Sequence, residues 1–89
     1  MAKIVVVMKI YPEDANADLN ELKDRIKKSL PNGVSVHNFD EEPIAFGLKA
    51  LIASIVIPSD EGGVMDPVEE SVKALPGVSQ IEVMMVRRV

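Results

Sequence analysis

The stretch from Pro43 to Pro58, PIAFGLKALIASIVIP, is what any fold of this chain must accommodate first. About 14 residues separate its two prolines and Lys49 is its one charge, whereas a membrane-spanning helix needs about 20 apolar residues. Ile52, Ile55, Val56 and Ile57 are β-branched and suit a pleated surface, and the prolines bracket the run where ladder donors are not needed. A run this apolar belongs inside a sheet with a neighbour on each side. It is expected to be a central strand, beginning at the Phe46-Gly47 pair.

The chain has 89 residues, enough for one core, and 1–89 is expected to be one domain. Aromatics are 3%, so Val, Ile, Leu, Met and Ala must build that core. Cysteine is absent, which removes disulfides, thiolate metal sites and cysteine nucleophiles together. No small-residue cleavage site follows MAKIVVVMKIYP, so no signal peptide is expected and the chain reads as cytoplasmic. The net charge of −4 argues against direct nucleic-acid binding or attachment to an anionic membrane, since each needs a basic face.

Lys3 to Tyr11, KIVVVMKIY, reads as an inner strand placing Ile4, Val6, Met8 and Ile10 on one face. Leu19, Leu22, Ile26 and Leu30 then recur at helical spacing. Asp18 is the expected N-cap, with Glu21 completing a capping box, and Pro31-Asn32-Gly33 ends the helix. Gly33 to Phe39 is more polar and reads as an edge strand, with Asp40-Glu41-Glu42-Pro43 turning into the long apolar strand. Ser59 to Gly63 is a loop. A second helix starts with Asp66 as N-cap and Pro67 at its first position, buries Val68, Val72 and Leu75, and ends at Pro76-Gly77. Ser79 to Arg88 is the last strand.

The order β-α-β-β-α-β is the ferredoxin-like α+β arrangement. Right-handed crossovers put both helices on one face of a four-stranded antiparallel sheet in the order 4-1-3-2. That fold hosts unrelated functions, so function must come from a site.

No catalytic, metal or cofactor site is expected. His37, the one histidine, has no nucleophile or orienting partner in any motif. Asp40-Glu41-Glu42 supplies too few oxygens for calcium and reads as a charged turn. Asp60-Glu61-Gly62-Gly63 lacks the Gly-Lys-Ser/Thr of a phosphate loop. Base stacking would need aromatics displayed on the central strands, and the first and last strands offer none but Tyr11. Two places stand out. Phe46, followed by Gly47, is an aromatic at a strand start that can project to a partner as an anchor, against the reading that pattern alone favours, packing under a helix. At Arg87-Arg88-Val89 a strand delivers basic side chains past the sheet edge.

Both places carry a resemblance. Pro43-Ile44-Ala45-Phe46-Gly47-Leu48-Lys49-Ala50-Leu51 resembles the P-I-x-F-G-(I/L)-K-x-L stretch in the exchange domain of translation elongation factor 1-beta. The opening strand with Tyr11-Pro12-Glu13-Asp14, and the ending Val83-Met84-Met85-Val86-Arg87-Arg88-Val89, are similar to the same family, in its short archaeal form. The resemblance implies a factor without covalent chemistry that accelerates GDP release from the GTPase elongation factor 1-alpha. It implies that Phe46 docks in a pocket of the nucleotide-binding domain. It also implies that Arg88, where eukaryotic members carry a penultimate Lys, reaches the magnesium and phosphate region. Arg differs from Lys there in being a planar fork rather than a point charge, and Arg87 is available to share the task. The partner-binding set is thus Phe46, Gly47, Arg87, Arg88 and Val89, with no cofactor, in a monomer. The alternative is a small-molecule-sensing regulatory domain of the same fold that pairs through edge strands.

Overall fold

A computed structural model describes residues 3–14, 16, 18–30, 33–45, 47–58 and 65–88. Its elements are β1 (Lys3–Pro12), α1 (Leu19–Ser29), β2 (Ser35–Pro43), β3 (Lys49–Pro58), α2 (Met65–Lys73) and β4 (Val78–Arg88). The strands form one antiparallel sheet in the order β2-β3-β1-β4. Read from the opposite edge this is 4-1-3-2, and with both helices on one face it is the expected ferredoxin-like sandwich.

Alternation along the central strands builds the core. β1 turns Val6, Met8 and Ile10 to the helices, and β3 turns Leu51, Ala53, Ile55 and Ile57 to the same side, all buried. Leu22 and Ile26 of α1 and Val68 and Val72 of α2 close the cluster from above. Each such aliphatic side chain contributes roughly 1.5–3 kcal/mol by leaving water. Phe39 on β2 packs against the cluster's edge, with the Lys27 ammonium 5.8 Å from its ring centre.

The structure corrects two strand boundaries. β3 begins at Lys49, after the Phe46-Gly47 pair rather than at it, and β2 continues through Asp40-Glu41-Glu42 to Pro43, which the sequence suggested was a turn. The turn is Ile44 to Leu48: the Ile44 N–H donates to the Leu48 carbonyl at 2.9 Å, and the Leu48 N–H donates to the Ala45 carbonyl at 2.8 Å. Gly47 has φ +80°, which closes that turn and which a side chain would oppose. The acidic run tolerates strand geometry because β2 is an edge. There Glu41 pairs with Lys23 and Glu42 with Lys9, both at 3.2 Å.

Helix α1 starts as expected at Asp18, whose carboxylate accepts the N–H groups of Asn20 and Glu21 at 3.0 and 3.2 Å. Glu21 does not complete a capping box; its carboxylate accepts from Arg25 instead. Helix α2 begins at Met65, one residue before the expected cap. The side chains of Asp66 and Pro67, and the stretches Pro31-Asn32 and Ser59 to Gly63, lie outside the described residues. Gly77, at φ +92°, ends the turn after α2, where its N–H donates to the Glu13 carboxylate and its carbonyl accepts the Glu13 N–H.

Ile55 is fully buried at the middle of this cluster, so Ile55→Ala removes methyl groups the neighbours cannot replace. It is expected to lower stability by about 2–5 kcal/mol, read as a lower urea midpoint at unchanged m-value.

Candidate functional site

β4 is an edge strand with one face over the core, so half of its apolar side chains must be exposed. A bulge sharpens this: Met8 is opposite Val83 and Val7 opposite Met85, leaving Met84 as the extra residue. Met84, Met85 and Val86 are 52%, 48% and 48% exposed, three large apolar side chains in sequence. Arg87 and Arg88 follow directly. Both are exposed, and neither makes an ion pair among the described residues.

The pleat separates the two arginines. Arg87 is opposite Val5 and projects from the face turned away from the helices, whereas Arg88 is opposite Ile4 on the helix side. They are adjacent in sequence and diverge in space. The sequence identified the pair but missed Met84, Met85 and Val86. The signal was available: four apolar residues in a row on an edge strand cannot all be buried.

Gly47 sits in the β2–β3 turn, exposed, and a Cβ built there would meet nothing within 4 Å. Phe46 and Val89 lie outside the described residues. The turn that carries Phe46 precedes Lys49, at the end of the sheet where β1 finishes. Arg88 is opposite Ile4, at the end where β1 begins, beside Pro58. The ten residues of β3 separate these ends by roughly 30 Å at the rise of a strand. Gly47 and the two arginines therefore lie at opposite ends of the sheet.

On the open face near the Gly47 end, Lys9, opposite Ile52, reaches across β3 at 3.2 Å to Glu42, which is opposite the buried Ala50. The Tyr11 hydroxyl donates to Glu82 at 3.0 Å, and the Lys9 ammonium lies 5.4 Å from the Tyr11 ring centre. The hydrogen bond to Glu42 raises the Lys9 pKa above its ordinary value against the opposing pull of partial desolvation, and attraction to Glu42 and Tyr11 adds to the rise. Tyr11, the aromatic of β1, is thus engaged within the sheet. His37 is exposed at a bulge between Val36 and Asn38 of β2. Among the described residues no group of three His, Asp or Glu side chains is placed to hold a metal ion.

The family described as EF-1 guanine nucleotide exchange domain matches residues 5–89. Elongation factor 1-beta of Staphylothermus marinus is 49% identical over 89 residues, covering 100% of this chain and 99% of that protein. The proteins of the same name from Methanothermobacter thermautotrophicus and Aeropyrum pernix are each 46% identical over 88 residues, covering 99% of this chain and 98% of theirs. Among solved structures, the C-terminal domain of the MgtC protein from Mycobacterium tuberculosis matches with a TM-score of 0.55. That match covers 93% of this chain and 84% of the other at 13% identity, and speaks to fold alone. The chain belongs to the EF-1 guanine nucleotide exchange domain family, and its role is that of a nucleotide exchange factor in translation elongation.

The Lys9–Glu42 pair gives the sheet a pH signature. A raised lysine pKa means that its stabilisation is complete below the unfolded value of about 10.4 and is lost as pH rises through the folded value. Compared by urea unfolding, the parent is expected to exceed Glu42→Gln by a constant margin between about pH 7 and 9. The margin shrinks above about pH 10.4 and closes once Lys9 is deprotonated in the fold.

Proposed function

We propose that this chain promotes GDP/GTP exchange on elongation factor 1-alpha by bringing the basic end of β4, and Arg88 in particular, to the magnesium and phosphate region of the GTPase. The carrying observation is the exposed Arg87-Arg88 pair at the end of a strand that is paired to β1 as far as Arg88, with Met84 to Val86 exposed beside it. The strand supplies rigidity, so a cationic side chain is presented without first ordering a loop. Magnesium bridges the nucleotide phosphates and the GTPase. A guanidinium placed there replaces part of the positive charge without the coordination, and GDP binds less tightly. Linkage makes the effect reciprocal: GDP must weaken the factor's binding by the same ratio. No covalent step is needed.

Phe46 supplies the second contact, from the turn at the far end of the sheet. With roughly 30 Å between the groups, the partner is held at two separated places and not at a single pocket. The acting form is a monomer of one domain in the cytoplasm. Both edge strands carry a bulge, at His37 and at Met84, which opposes pairing of one sheet with another and supports this over an edge-paired dimer.

In a fluorescent-GDP release assay, Arg88→Ala is expected to lower the saturating release rate by roughly 30-fold or more, the scale of losing a desolvated charge contact. Its unfolding midpoint stays that of the parent, because Arg88 is exposed. Phe46→Ala is expected to raise Kd for the GTPase by about tenfold or more, measured by calorimetry. Parent-like behaviour of both variants would refute the residue assignment.

A further inference from the structure

The sheet face turned away from the helices carries a groove of about 420 Å³. Val5, Val7, Val56 and Met85 make it apolar. Its ionisable groups are Lys3 from β1, His37 from β2 and Arg87 from β4. No carboxylate lines it among the described residues, although the chain carries 14 acidic residues against 10 basic ones. The carboxylates that the register puts on this face lie outside the groove: Asp40 at mid-sheet opposite Ile52, and towards the other end Glu42, which pairs with Lys9, and Glu82, which accepts from Tyr11. An acidic protein has therefore kept one stretch of its open sheet free of its prevailing charge.

The groove is continuous with the basic end of β4 through Arg87 and Met85. Apolar walls under a cationic rim suit an extended segment that carries both apolar side chains and carboxylates. A second copy is a poor occupant, because two such grooves face to face would oppose Lys3 and Arg87 with their own kind. Single-stranded nucleic acid is also a poor one: among the described residues no aromatic lines the groove for stacking, and the net charge of −4 opposes it.

We infer that this groove seats an acidic, apolar segment of the GTP-binding partner, with its carboxylates on Lys3 and Arg87 and its apolar side chains against Val5, Val7, Val56 and Met85. The inference rests on the exchange function proposed above and divides the labour of the two arginines. Arg87 holds the partner, and Arg88, on the opposite face, is left to act at the phosphates.

The test is a titration of GDP-loaded elongation factor 1-alpha with the full chain, following release of fluorescent GDP at low and high salt. Lys3→Glu/Arg87→Glu is compared with Arg88→Ala and with Lys73→Glu, an exposed charge reversal on α2 away from the groove. Circular dichroism and unfolding midpoints establish that each variant is folded. The double reversal is expected to raise the half-saturating concentration by about tenfold or more at low salt and to remove most of its salt dependence. Arg88→Ala instead lowers the plateau, and Lys73→Glu behaves as the parent. A double reversal that titrates like the parent, while Arg88→Ala still loses its plateau, overturns the groove and leaves the exchange function standing. A double reversal that lowers the plateau as Arg88→Ala does overturns the division of labour. Binding of a labelled single-stranded RNA by the parent, lost in the double reversal, assigns the groove to nucleic acid and overturns the inference. A parent that neither binds the GTPase nor accelerates release overturns both.

Discussion

The pairing of β1 with β3 is the constraint on which the rest depends. These strands hold the centre of the sheet in register from Lys3 opposite Pro58 to Ile10 opposite Leu51. Because side chains alternate, that register decides which apolar residues meet the helices, and a slip of one residue would turn the whole row to water. Val6, Met8 and Ile10 lie alongside Leu51, Ala53 and Ile55 with no solvent between. β1 then sets the register of β4, and through it the faces on which Arg87 and Arg88 emerge. The placement of two exposed arginines is in this sense a consequence of the core.

The sheet acts as a ruler as well as a scaffold. Its ends carry different chemistry: a glycine-closed turn beside acidic side chains at one end, and a basic, apolar strand end at the other. Such a layout suits an exchange factor, whose work is differential binding rather than bond making. A factor that holds its partner at one place and perturbs it at another can spend binding free energy from the first on the second. Under the proposed division of labour, the divergence of Arg87 and Arg88 applies the same logic over a single peptide bond.

Much of this was legible in the residues. The alternation in KIVVVMKIY, the helical spacing of Leu22 and Ile26, and the positions of Val68 and Val72 each pointed to the observed buried face. The boundary between β2 and β3 was not. Asp40, Glu41 and Glu42 have turn-like composition, and what makes them a strand is pairing to Ile52, Leu51 and Ala50 together with salt bridges to lysines far along the chain. Local propensity contains no trace of those partners. The exposure of Met84 to Val86 was signalled by an apolar run on a strand that the topology puts at an edge, but the bulge between Val83 and Met85 that makes Met84 the extra residue leaves no mark in local pattern. The candidate residues stood out by type and position, resemblance gave them roles, and the register puts Gly47 and the two arginines at opposite ends of the sheet.

The most direct measurement is the rate of fluorescent GDP release from elongation factor 1-alpha with the full chain and with a chain lacking Arg88 and Val89. If the end of β4 perturbs the nucleotide site, the full chain accelerates release and the shortened one, still folded and still bound, does not. Equal acceleration by both would contradict the central claim and move the exchange activity away from the basic end of the sheet.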